Sequence, residues 1–300
     1  MGVRGRIVGG EYAHEGEFPW LALIAKWYPN IHNDNPSAVL EYRCGGSLIT
    51  ESWVLTAAHC LFASCSQPPC KTPLTYAQLG VLLGHYNTYT ENDTEIIDTE
   101  NAIVRHSSKI VLHEKYNQTD LTRGYDIGLI RLQGPAISLV GKVKVNTICL
   151  PLDYSIDEIN TARYVTVIGH GATALEKIHL PKEMWCNGVD YWMLGINVSA
   201  RTKKLTTQLM DNDDSRPTFG KYNEKYCAFL GENFQISPSK FICAGGKLDH
   251  HHSGDCHEFN NGDSGGPLMM KNMKASGPQR PWIQIGIASF RVPTCGFEGL

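Results

Sequence analysis

Along the chain, short runs of β-branched and aromatic residues alternate with turn residues, and none sustains the 3.6-residue spacing of a long amphipathic helix. The runs fall at residues 20–25, 45–50, 53–57, 78–83, 102–112, 127–132, 164–169, 267–270 and 282–290. Strands this short, punctuated by Gly, Pro, Asn and Ser, predict an all-β sandwich or barrel. No internal repeat competes with that reading. No apolar stretch approaches the roughly twenty residues that span a bilayer, so no membrane segment is expected. Residues 172–226 fit the rhythm least, and residues 186–217 are polar and irregular. That segment reads as a flexible surface insertion, with a substrate-selecting loop as the functional alternative.

Composition narrows the classes. Three hundred residues are enough for one large core or two packed halves, and 42% hydrophobic with 19% charged residues is ordinary for a globular protein. A formal charge of −3 lacks the basic excess that a phosphate backbone would demand, which excludes nucleic acid as the expected partner. Ten cysteines point to an oxidising compartment. The sequons at Asn92, Asn117 and Asn197 agree with secretion. The opening residues Met1 to Arg6 are too short and too charged to be a signal peptide, so a secretory leader and a pro-region are expected upstream of them.

Three segments carry chemistry. Ser264 lies in Gly262-Asp263-Ser264-Gly265-Gly266-Pro267-Leu268, His59 in Thr56-Ala57-Ala58-His59-Cys60, and Asp126 in Tyr125-Asp126-Ile127-Gly128-Leu129-Ile130. A hydroxyl is a poor nucleophile until an imidazole takes its proton, and the imidazole needs a carboxylate to fix its tautomer. Taken singly, His59 reads as a core histidine and Asp126 as a turn residue. Together, in the order His, Asp, Ser, they read as a catalytic triad.

These segments, with Arg6-Ile7-Val8-Gly9-Gly10 near the start, resemble the chymotrypsin/trypsin family of serine endopeptidases from about Ile7 to the last residue. The resemblance implies two antiparallel Greek-key β-barrels, about 7–148 and 149–300, joined near Cys149-Leu150-Pro151, with the active site in the cleft between them. It implies an oxyanion hole from the backbone N–H groups of Gly262 and Ser264. It also implies a zymogen cut between Arg6 and Ile7, residues 1–6 being the remnant of an activation segment. The freed Ile7 ammonium would then pair with Asp263, an order switch for the oxyanion loop, and the chain starting at Met1 is expected to be inactive. An Arg at the cut implies a trypsin-like upstream activating protease, and hence a cascade.

The same resemblance implies disulfides Cys44–Cys60, Cys227–Cys243 and Cys256–Cys295. Cys65 and Cys70 look like the extra small-loop bridge of arthropod clip-domain proteases. Cys149 sits where those enzymes bond to an upstream regulatory segment; from the sequence it is either unpaired or bonded to Cys186.

Departures from the family cluster at the substrate pocket. Five residues, His257-Glu258-Phe259-Asn260-Asn261, intervene where the family usually has one. Counting back from Ser264 selects Glu258 as the pocket base, whereas counting from Cys256 selects Gly254, with Asp255 beside it. A carboxylate there would favour Arg or Lys substrates, and Asp255 is the reading adopted. Ser289-Phe290-Arg291 lines the cleft, with Arg291 where the family mostly has Gly, obstructing the pocket mouth or reaching acidic substrate residues. The family's final strand and C-terminal helix are missing after Leu300, and His170 stands where the family has Trp. The run His250-His251-His252 reads as a solvated loop, because adjacent histidines do not converge on one ion. No cofactor is expected; calcium at the acidic stretch 91–100 is a minor alternative. The function expected is a secreted endopeptidase cutting protein substrates after Arg or Lys. The rivals are a protease-like binding protein and a truncated product that does not fold stably.

Overall fold

Valine, leucine and isoleucine placed to face one interior close the first half of the chain on itself. In the computed structural model, strands β1 (Glu11–Tyr12), β2 (Leu21–Tyr28), β3 (Val39–Thr50), β4 (Trp53–Thr56) and β5 (Leu79–Leu83) come first. They are followed by β6 (Thr88–Glu91), β7 (Thr94–Ile97), β8 (Ile103–Leu112) and β9 (Gly128–Leu132). The structure describes residues 11–28, 39–62, 73–84, 88–91, 94–97, 102–119, 123–138, 143–162, 164–170, 172–179, 192–198, 202–210, 241–245, 263–276 and 281–289.

Six strands form a closed barrel in the order β2-β3-β4-β9-β8-β5, every pair antiparallel. Closure removes the unpaired edges that an open sheet would expose. Register shifts between Ile24 and Ala25, Leu48 and Thr50, and Ser107 and Lys109 supply the local bends that closure requires. The alternation is cleanest in β9, where Gly128, Ile130 and Leu132 are buried and Arg131 faces solvent.

A connector leaves the barrel at Cys149 and makes one short helix, α1 (Ile156–Asn160), begun by a capping box between Ser155 and Glu158. The second half contributes β10 (Tyr164–Gly169), β11 (Ala172–His179), β12 (Trp192–Val198), β13 (Lys203–Met210), β14 (Cys243–Gly245), β15 (Pro267–Lys271) and β16 (Trp282–Ile287). Its main sheet runs β1-β13-β10-β15-β16, with β14 also on β13 and β11–β12 a separate hairpin. The expected all-β architecture is therefore present, and the second sheet is open among the described residues. No helix among them is long and apolar enough to cross a membrane.

The two halves share buried atoms. The barrel's core cluster extends into Ile168 of β10 and Met269 of β15, and the Trp20 indole N–H points at the Met269 sulfur at 3.2 Å. The buried Ser47 hydroxyl donates to Gln284 Oε1 at 2.5 Å, while Gln284 N donates to the Cys149 carbonyl at 2.9 Å. A polar pair sealed this way costs stability when one partner is removed, so it fixes how the halves meet.

One expectation needs correction. Part of the segment read as an irregular insertion is sheet: β12 and β13 both fall within residues 186–217. Strand β13 pairs along all of β10, from Tyr164 opposite Gln208 to Gly169 opposite Lys203. It buries Lys203, Leu205 and Thr207 on its inner face. The period of two is there, but Lys and Thr carry two of its three buried positions. On this placement, Leu205→Ala should lower unfolding free energy by about 2–5 kcal/mol. Leu152→Ala, at a side chain 86% exposed, should change it by less than about 0.5 kcal/mol. Urea unfolding of both variants checks this; similar small effects would mean that β13 is not core.

Candidate active site

His59 sits in a single 3₁₀ turn, Ala58–Leu61, directly after β4. Small residues precede it because the space is filled: Ala57 and Ala58 are fully buried. Cys60 is bonded to Cys44 of β3 across a sequence separation of 16, so the turn is stapled to the barrel wall as expected. A loop of that length contributes about 3 kcal/mol in the chain-entropy account. The Sγ atoms of Cys44 and Cys60 lie near the His59 ring, but both are consumed by the disulfide and offer no thiolate to a metal.

Asp126 follows two left-handed residues, Gly124 at φ 73° and Tyr125 at φ 66°. Its carboxylate accepts from the His59 backbone N–H at 2.8 Å through Oδ1 and from the His59 Nδ1–H at 2.7 Å through Oδ2. Because a carboxylate only accepts, Nδ1 carries the proton of this bond, and Nε2 is the ring nitrogen that Asp126 does not engage. The Ser289 hydroxyl, arriving just after β16, donates to the same Oδ2 at 2.5 Å. Ser289, expected at the substrate cleft, thus has its hydroxyl turned to the Asp126 carboxylate. Burial alone would raise the Asp126 pKa; the bonds and charge from His59 and the bond from Ser289 outweigh it and hold the carboxyl below its ordinary value. Tyr116 also packs here, with its ring on Phe62 and its hydroxyl buried with no hydrogen-bond partner among the described residues. Burial first, and the Asp126 charge second, push its phenol pKa up.

Ser264 occupies the tip of a tight turn. Gly266 N donates to the Asp263 carbonyl at 3.0 Å, and Gly265 between them has φ 80°. That is a type II turn, which calls for glycine at its third position. A Cβ on Gly265 would also run into the Thr56 hydroxyl and the Gly45 carbonyl. The turn is docked on the barrel: Gly45 N donates to the Ser264 carbonyl at 2.7 Å, and the Thr56 hydroxyl holds the Gly45 carbonyl at 2.8 Å. Gly265 N reaches across to the Ala288 carbonyl at 2.7 Å. Thr56 and Gly45 are therefore supports that motif reading passed over, although Thr56 stands in the same five-residue segment as His59. His59 makes no hydrogen bond to Ser264; such contacts between a base and its nucleophile commonly tighten only when substrate binds.

Asp263 is fully buried, its carboxylate lying where a Cβ on Gly169 would be. The next residue, His170, is buried and shares a 3.2 Å hydrogen bond with Thr202 at the foot of β13. A polar ring thus bonds into the second sheet where the family has an indole. Cys149 is a free, exposed thiol; Cys186, its candidate partner, lies outside the described residues. Arg6, Ile7, Asp255, Gly262, Arg291, Cys65, Cys70, Cys227, Cys256 and Cys295 lie outside the described residues, as do the alternative pocket positions Gly254 and Glu258 and the His250 run. Cys243 is described only as backbone in β14. The acidic stretch contributes to the β6–β7 hairpin, Glu91 facing Thr94 in register.

The lowered Asp126 pKa gives a signed expectation. A depressed carboxyl adds stability above its unfolded value of about 3.9 and loses it as pH falls toward the folded value. The gap in unfolding free energy between the wild type and Asp126→Asn should therefore narrow as pH drops below about 4, measured by urea titration. A gap independent of pH would contradict the placement.

The model of the trypsin family matches residues 7–298. The chain is similar to CLIP domain-containing serine protease B9 of Anopheles gambiae, with 31% identity over 98% of this chain and 58% of that protein. It is similar to CLIP domain-containing serine protease B4 of the same species, at 28% over 98% of this chain and 65% of that protein. Serine protease 7 of Drosophila melanogaster matches at 28% over 98% of this chain and 60% of that protein. The chain thus spans less than two thirds of the length of these relatives. Family match, closed barrel and the grip of Asp126 on His59 agree: the chain belongs to the trypsin family.

Proposed function

We propose that the chain is the endopeptidase unit of a secreted serine protease that hydrolyses peptide bonds in protein substrates. The observation that carries this reading is the two-point hold of Asp126 on His59, which leaves Nε2 as the ring nitrogen that can act as a base. Ser264 Oγ attacks the substrate carbonyl carbon while His59 Nε2 takes its proton. The oxyanion that forms is met by the backbone N–H groups of Gly262 and Ser264. The imidazolium then gives its proton to the leaving amine, and water repeats the cycle on the acyl-enzyme. Asp126 stays ionised throughout, a role that its lowered pKa suits.

Activation follows from cleavage between Arg6 and Ile7, after which the Ile7 ammonium pairs with Asp263. A carboxylate as deeply buried as Asp263 favours such a partner. The activating enzyme cuts after Arg, which fits a role in an extracellular cascade. Asp255 at the pocket base directs cleavage after Arg or Lys. The free thiol of Cys149, with Leu152 exposed close by, suits a disulfide to an upstream regulatory segment. The names of the relatives, serine proteases with CLIP domains, agree with this picture.

The chain cleaved after Arg6 should react with a fluorophosphonate at Ser264, and His59→Ala should lower kcat at least about 10⁴-fold. A folded, cleaved protein that resists the probe would support the binding-protein alternative instead. Chromogenic peptides ending in Arg or Lys should be cleaved ahead of those ending in Phe or Leu; the reverse order would remove Asp255 from the pocket base.

A further inference from the structure

Tyr125 is the one described residue other than glycine with a left-handed backbone, at φ 66°. It immediately precedes Asp126. Ile127 N donates to the Tyr125 carbonyl at 2.7 Å, which closes a three-residue turn with Asp126 at its centre. His113 N donates to the Ile127 carbonyl at 3.2 Å, so the turn hangs from the end of β8. The Tyr125 ring stacks on the His113 ring, with centroids 4.7 Å apart and planes at 21°. Lys115 Nζ lies 5.7 Å from the centroid of the Tyr125 ring.

A bulky residue in this conformation is strained, and it persists only where its surroundings over-determine it. Glycine would adopt the same φ at no steric cost, so what tyrosine adds at this position is the ring. We propose that Tyr125, clasped by His113 and Lys115, is a positioning residue that fixes the Asp126 carboxylate against His59. The ring anchors the residue before Asp126, and the three-residue turn passes that anchoring to the Asp126 backbone. The carboxylate must then satisfy His59 N at 2.8 Å and His59 Nδ1 at 2.7 Å together, a two-point grip with little tolerance for backbone drift. The inference rests on the serine-endopeptidase reading above and deepens it.

The test uses the full chain cleaved after Arg6, assayed with a chromogenic peptide. Tyr125→Gly keeps the left-handed backbone and removes the ring, so the fold is spared while the clasp is lost. Its kcat should fall about 10- to 100-fold with KM unchanged, as expected for misplacement of a catalytic group by a fraction of an ångström to an ångström. Tyr125→Phe, which keeps the stack, should restore kcat to within about threefold of the wild type. His113→Ala should lower kcat in the same way and add little to Tyr125→Gly, because the two act as one unit. A Tyr125→Gly variant with wild-type kcat, a loss confined to KM, or a loss matched by its unfolded fraction in urea overturns the inference while leaving the endopeptidase reading intact. A folded, cleaved wild type that turns over no peptide overturns that reading, and the inference with it.

Discussion

The hold of Asp126 on His59 is the constraint around which the remaining structure is arranged. One carboxylate takes the backbone N–H and the ring N–H of the same residue, at 2.8 and 2.7 Å, and so sets both the position and the tautomer of the imidazole. That requires the end of β4 and the chain entering β9 to meet side by side, which the barrel provides by pairing Thr56 with Gly128. The Cys44–Cys60 bridge then pins the turn that carries His59 to β3. Ser289 adds a third donor from the other half of the molecule, so the carboxylate also senses how the halves are docked. Low exposure strengthens each of these interactions, and the same burial would make the carboxylate costly if any donor withdrew.

Docking of the two halves is the second requirement. The nucleophile turn rests on Gly45 and Thr56 of the barrel through its own backbone, and glycine at 265 lets it approach so closely. Gly45 is held in turn by Thr56, three residues before His59. His59 and Ser264 are therefore referred to one short piece of chain, although they come from different halves of the molecule. The buried Ser47–Gln284 bond and the Trp20–Met269 contact keep that relation rigid further from the site.

Much of this was legible in the sequence, and the reasons differ by element. The run at 164–169 is β10 residue for residue, and 53–57 differs from β4 by one, because Val, Ile and Leu mark buried strands directly. The pairing of Asp126 with His59 was legible because each sits in a distinctive segment. Strand β13 was not, since its inner face is Lys203, Leu205 and Thr207, two of which are polar, and the Lys203 ammonium lies 4.9 Å from the centroid of the Tyr12 ring. The turn of Ser289 toward Asp126 depends on contacts 163 residues apart, which no local pattern encodes. The left-handed backbone of Tyr125 is hidden for a different reason: propensity assigns that conformation to Gly and Asn, whereas here the ring contacts with His113 and Lys115 accompany it.

The central claim is that Ser264, His59 and Asp126 form one proton relay across the cleft. The most direct measurement is a crystal structure of the chain, cleaved after Arg6, with an organophosphorus ester bound covalently. The account predicts phosphorus bonded to Ser264 Oγ, with His59 Nε2 within about 3 Å of an adduct oxygen and Nδ1 still bonded to Asp126. Phosphorus on another residue, or an imidazole turned away from the adduct with its Asp126 bonds broken, would contradict it.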